Sequence, residues 1–355
     1  MYGKLLAGIS SIFLFLGVTV QAQEASSLGL SVNPQIFELD VFSGEKIPQK
    51  IKLRNLSDVP IPILVKVTDF TAVEDSGEME FDESAQDPII ASRKWFKIEK
   101  PNFILAAGEK KEVNFEILVP ENAEPGGHYS VVLFEPQLPS FYFKPGQPKT
   151  IPVVGVLFLI SVKTLSLEPA SVERPIEIAE FRIPKEERLQ NFEKALASIF
   201  HIIPGVSAAA INIVEKTPSS FLLRIKNNDI FHHKLSGKVL IYNFFGKKVG
   251  EKEIVKTTIL PGKIRQFPVD FSPEIPENLK WLPASISNFL IKNTALGKYR
   301  VVLEIKEEKN QIELNQALNF WVLPWKIILP SFSFLILLVI IRKRIVAALK
   351  ILIGR

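Results

Sequence analysis

The chain of 355 residues contains no cysteine. That excludes a disulfide framework, a thiolate-held metal or iron–sulfur centre, and a cysteine nucleophile, so stability has to come from packing. Histidine is scarce: His128, His201, His232 and His233 are the only four, and none has a second ligand at metal spacing. There is no Gly-x-Ser-x-Gly elbow, no Gly-rich phosphate loop and no His-Glu-x-x-His pair. Nothing here points to an enzyme or to a cofactor. Glycine (18) is outnumbered by proline (25), while phenylalanine reaches 26. With 47% hydrophobic and 23% charged residues the chain is not a disordered one. The mix suggests many short strands ended by turns.

Acidic and basic residues are unevenly placed. Residues 1–22 read as a secretory signal peptide, with Lys4 before an apolar stretch and Val20-Gln21-Ala22 as a small-x-small cleavage site. Residues 320–341 carry one charge, Lys326. At about 1.5 Å per residue they reach about 33 Å, enough for a hydrocarbon core of about 30 Å. Trp321 and Trp325 stand where an interfacial aromatic belt belongs, and Lys326 can snorkel to the headgroups. A transmembrane helix is therefore expected over 324–341. Arg342-Lys343-Arg344 then place the tail, 342–355, in the cytoplasm. The region between the two ends would face the exterior of a single-pass membrane protein. Residues 23–163 hold 14 bases against 20 acids, and 324–355 hold six bases and no acid. The formal +5 thus reflects targeting and topology, and a nucleic-acid partner has no support.

Period-2 alternation and proline-rich turns dominate the exterior region. Candidate strands are 28–32, 35–41, 49–55, 61–70, 94–98, 112–119, 128–135 and 153–163. Such spacing indicates a β-sandwich over 23–163. The continuous apolar run 153–160 is expected to be buried on both faces. A second sandwich follows over 164–323, with strands near 211–215, 221–227, 237–243, 247–255, 264–271, 297–305 and 312–321. A small repeat links the two. Phe42-Ser43-Gly44-Glu45, Ala106-Ala107-Gly108-Glu109 and Leu260-Pro261-Gly262-Lys263 each place a Gly turn before a strand. One segment breaks the pattern. Leu189, Phe192, Leu196, Ile199, Phe200 and Ile203 recur at helical steps, which predicts an amphipathic helical insertion over 185–203. Its polar face balances Glu186, Glu187 and Glu193 against Lys185, Arg188 and Lys194, so a helix packed on its own domain is favoured over one lying on lipid.

Candidate binding residues are aromatic. Phe141-Tyr142-Phe143 cannot all point to one face of a strand, so part of that run should meet a partner. Trp95 could stack on a sugar ring or serve as core. Residues 74–87 hold seven carboxylates without an EF-hand order, which suits a solvated loop or a calcium site.

Leu30-Ser31-Val32-Asn33-Pro34, Phe42-Ser43-Gly44-Glu45 and Leu53-Arg54-Asn55-Leu56-Ser57-Asp58 resemble the opening of the WxL-interacting protein family. The likeness continues through Trp95, the 103–110 stretch, and the 119–129 stretch that ends in Pro125-Gly126-Gly127-His128-Tyr129. It implies immunoglobulin-like domains, and a membrane-anchored protein without enzymatic activity that contacts peptidoglycan and other cell-surface proteins. His128 and Tyr129 join Trp95 and the 141–143 triplet as partner-binding candidates. Two other functions fit the same pattern. One is a chaperone-like protein that pairs a partner's strand at an exposed sheet edge. The other is a membrane-tethered hydrolase of cell-wall glycan.

Overall fold

The computed structural model describes residues 29–82, 91–138, 152–164, 174–200, 212–271, 280–287, 296–307, 309 and 311–352. The expected signal peptide and Phe141, Tyr142 and Phe143 lie outside the described residues.

The chain is mainly β. Its N-terminal unit contains β1 (Leu30–Asn33), β2 (Ile36–Phe42), β3 (Lys46–Asn55), β4 (Ile61–Ala72), β5 (Met79–Asp82), β6 (Phe96–Ile98), β7 (Asn102–Leu105), β8 (Lys110–Leu118), β9 (Gly126–Pro136) and β10 (Val154–Lys163). One sheet runs β1-β3-β8-β6, and the other runs β2-β10-β9-β4-β5 with β7 also beside β4. Among the described residues, only β2 and β10 pair in parallel within this unit. Strand alternation sends Ile51, Leu53, Phe115 and Ile117 of the first sheet toward Ile63, Phe134, Phe158 and Ile160 of the second. Phe37, Phe96, Phe115 and Phe158 pack their rings at centroid distances of 4.7–6.3 Å, several of them edge to face. This is one destination of the phenylalanine excess.

The C-terminal unit contains β11 (Ile176–Arg182), α1 (Gln190–Phe200), β12 (Asn212–Val214), β13 (Ser220–Asn227), β14 (His233–Tyr242), β15 (Lys248–Ile259), β16 (Ile264–Asp270), β17 (Gly297–Glu307) and β18 (Ile312–Val322). Its sheets run β11-β13-β16 and β12-β18-β17-β14-β15. Phe221, Leu223 and Phe267 of one meet Ile241, Leu303 and Phe320 of the other in a separate core. The helix expected from 185 starts later: Lys185–Glu187 form a single 3-10 turn and α1 follows. Two of the three carboxylates on this segment are held by the domain itself, while Glu186 is exposed. Glu193 accepts a bond from the Ile213 N–H and pairs twice with Arg188, and Glu187 accepts from the Ser219 N–H and hydroxyl.

The repeated turns are real. Gly44, Gly108 and Gly262 take φ of +79°, +69° and +69°, a region that L side chains disfavour. Two of them belong to a larger shared device. Asn55 is fully buried at the end of β3. Its N–H donates to Glu109 O, and its side-chain amide donates to Leu105 O, Ala106 O and Val59 O. Asn227, equally buried at the end of β13, donates to Lys263 O, Ile259 O and Phe231 O. Each Oδ1 accepts the N–H two residues ahead, from Ser57 and Asp229. One buried amide thus ties a strand end to the Gly turn of a neighbouring hairpin in both units.

After β18, α2 (Trp325–Leu352) extends as a long helix. Its segment Trp325–Arg342 has mean hydropathy 1.9 and no buried share, so it is long and apolar enough to cross a membrane. Lys326 pairs with Glu215 at 2.8 Å, and the Leu323 N–H donates to Val214 O, which tie the helix start to the C-terminal unit.

Candidate functional site

The outer face of the six-stranded sheet is apolar and only half covered. Along β10, Val156, Phe158 and Ile160 point to the core, so Leu157 and Leu159 point outward. Near one end Phe70, Tyr129, Val131 and Leu159 are buried beneath Leu260, which reaches over from the C-terminal unit. Near the other end Ile36, Met79, Phe81 and Val153 are each about half exposed. They rim a groove of about 610 Å³ floored by Val131, Leu133, Gly155 and Leu157. The apolar run 153–160 is therefore buried on both faces only in its C-terminal part. The expectation of two covered faces fails for Val153, which is 49% exposed.

The backbone at this groove is also open. β10 begins at Val154, but β2 joins it only from Leu157 onward. On that side residues 154–156 have no strand partner among the described residues. A Cβ on Gly155 would stand 2.9 Å from the Val131 side chain, so the bare backbone here keeps the groove floor low.

The covered end is fastened by several kinds of contact. Asp75 clamps Arg224 through two bonds of 2.7 and 3.0 Å, and its backbone pairs with Ile264 O and the Gln266 N–H. Lys234 reaches Glu38 at 2.5 Å, and Lys309 reaches Asp40 at 2.9 Å. Hydrogen bonding to Lys234 holds the Glu38 carboxyl below its usual value against the opposing effect of burial. The Gly127 N–H donates to Ile230 O at 2.8 Å. A Cβ on Gly127 would overlap the Tyr129 hydroxyl, so the glycine is needed for that approach. The acidic stretch near 75 is thus partly spent on joining the two units.

Two histidines sit at this junction, and neither is exposed. His233 is buried between Glu307 and Asp229, with both ring nitrogens 2.9 Å from a carboxylate oxygen. Burial opposes its protonation, yet the two carboxylates outweigh it and its pKa rises. His232 faces Tyr129, with Nδ1 3.3 Å from the hydroxyl, and burial pushes its pKa down to about 4.

Three aromatic candidates read from sequence belong to the interior. Trp95 and His128 are buried and pack ring on ring at 4.5 Å. His128 Nε2 is bonded to Glu124 O, and burial lowers its pKa. Tyr129 is buried under the C-terminal unit. All three are buried, and Trp95 and His128 line a small pocket of about 260 Å³ beside Pro120 and Glu124. In a two-sheet fold the largest rings gain most from burial, which outweighs their value as exposed stacking surfaces.

No family model matches the chain, and no curated protein matches it. Several of the solved structures similar to it are fimbrial chaperones. The class 5 fimbriae chaperone CfaA has a TM-score of 0.36 and 12% identity, over 83% of this chain and 100% of that one. The E. coli chaperone DraB gives 0.36 and 12%, over 81% and 98%. The Pseudomonas aeruginosa CupB2 chaperone gives 0.34 and 8%, over 81% and 98%. The expected membership of the WxL-interacting family is corrected, since no family model matches the chain. The motifs behind it are Gly turns, the buried Asn55 and the core Trp95, positions set by β packing.

Proposed function

We propose that this chain is a non-catalytic exported protein that holds an extended apolar segment of a partner protein on its first domain. In this reading 23–163 and 164–323 are tandem immunoglobulin-like domains, 324–341 spans the membrane, and 342–355 is a cytoplasmic tail. The observation that supports it is the coincidence of the half-covered apolar face with the open β2 side of β10 before Leu157, where the Gly155 N–H and C=O have no strand partner among the described residues. A strand laid there gains main-chain bonds from β10 and places alternate side chains between Ile36, Phe81 and Leu133. Peptidoglycan drops out, because its case rested on the family resemblance.

Site-specific photo-crosslinking tests the proposal. A benzoyl-phenylalanine at position 81 in the full chain, in its native membrane, is expected to join recurrent partner segments with alternating apolar residues. The same probe at Lys50, on the other sheet, is expected to give no such segment. No adduct at 81, or the same adducts at both positions, would remove the proposal.

A further inference from the structure

The end of the C-terminal unit that emits α2 gathers exposed aromatic residues from separate parts of the chain. Strand register shows this. Tyr242 of β14 lies opposite Arg300 of β17, and Arg300 lies opposite Asn319 of β18. The β14–β15 turn continues past that row to the height of the Lys298–Trp321 pair. Two strand spacings of about 4.8 Å separate β14 from β18, so the turn stands only about 10 Å aside from the chain that enters α2.

At that turn Phe244 is 69% and Phe245 88% exposed, with ring centroids 5.6 Å apart. Two adjacent phenylalanines at the tip of a hairpin contribute nothing to either core. The hairpin around them is well made: Asn243 Oδ1 accepts the N–H groups of Phe245 and Lys247, and Gly246 takes φ +73°. A defined turn therefore displays the rings. Beside the helix start, Leu189, Phe192, Leu323 and Trp325 line a second apolar cleft of about 650 Å³. The carboxylates of Glu187 and Glu193, which would repel anionic headgroups, are turned onto Ser219, Arg188 and Ile213, while Glu186 stays exposed at the cleft between Lys185 and Arg188. Lys247 and Lys298 flank the same end.

We infer that this end of the C-terminal unit rests on the bilayer surface, with Phe244 and Phe245 inserted among the lipid headgroups. The occupant is lipid because the apolar helix Trp325–Arg342 leaves from the same end, so the bilayer begins where these rings point. The tie between Lys326 and Glu215 keeps the unit close to the helix. Contact by the hairpin and by the α1–α2 cleft fixes the orientation of the unit. The eleven residues of β17 then hold the first unit about 36 Å above the membrane. The inference rests on the membrane-anchored reading of α2.

The absence of cysteine makes single-site labelling clean. Phe245→Cys, Val255→Cys and Phe334→Cys, each carrying an environment-sensitive fluorophore, are reconstituted as full chains in phosphatidylcholine–phosphatidylglycerol vesicles. Val255 is 79% exposed on β15, and Phe334 is exposed on α2. Brominated lipids are expected to quench the labels at 245 and 334, and to leave the label at 255 bright. Quenching at 334 without quenching at 245 overturns the inference and leaves the anchor standing. No quenching at 334 overturns the anchor and the inference with it. Equal quenching at 245 and 255 also overturns the inference. A label at 245 shielded from iodide but untouched by brominated lipid assigns the rings to a protein contact instead.

Discussion

Asn55 and Asn227 hold the same bracket in the two units, but the turns they hold meet different surroundings. In the N-terminal unit the bracketed turn begins at Ala106 and is exposed. In the C-terminal unit the corresponding position is Leu260, buried against Phe70, Tyr129, Val131 and Leu159 of the first unit. One scaffold device serves as a free tip in one copy and as a docking wedge in the other. The difference lies in a single side chain and in what faces it. The first unit carries an apolar outer sheet face long enough for the wedge and for something more. The part the wedge leaves open is the groove at Phe81.

The comparison can be broken at four depths. The largest effects are expected at the asparagines. Asn55→Ala or Asn227→Ala orphans two or more carbonyls each, for a loss of about 3 kcal/mol. Asn55→Ala is expected to destabilise its own unit, while Asn227→Ala also loosens the docking. Chemical denaturation followed by probes in each unit separates the two. Leu260→Ala removes the wedge at a cost of about 2 kcal/mol. Ala106→Leu at the free copy is expected to change stability by less than about 0.5 kcal/mol.

The histidines sharpen the comparison through pH, because only the docked copy has them. The pKa of His233 is raised, so its contribution is full below about pH 6.5 and lost as pH rises through the folded value. His232 is depressed to about 4, so its contribution is full above about pH 6.5 and lost as pH falls toward 4. Thermal melts across pH 4–8 are expected to show an optimum for the docked junction. His232→Gln should flatten the acid side, and His233→Gln the alkaline side. The smallest effect on stability is expected for Phe81→Ser, below about 0.5 kcal/mol because the ring is half exposed. Its effect should appear in partner capture.

Much of this fold was legible in the sequence. Alternation located most strands, because a half-buried strand has to repeat every two residues. Gly44, Gly108 and Gly262 marked their turns, since positive φ leaves few other choices. β5, β7 and β11 escaped: β5 lies within the acidic stretch, β7 has only four residues, and β11 interrupts its alternation at a bulge. The site was hardly legible. Whether Val153 or Leu159 is covered depends on where Leu260 falls, some hundred residues away in the chain. Trp95, His128 and Tyr129 attracted attention as polar or aromatic groups, although burial explains each of them. Asp75 looked like one carboxylate among seven, and its backbone pairing beside β16 and its clamp on Arg224 set it apart.

Hydrogen exchange along β10 tests the central claim most directly, in the full chain held in lipid nanodiscs. The Gly155 amide, which faces the open side, is expected to exchange much faster than the Leu159 and Ser161 amides, which face β2, and to become protected when a crosslinked partner segment is present. Equal and strong protection along all of β10 in the chain alone would contradict the claim, since no part of that face would then be open to receive a partner.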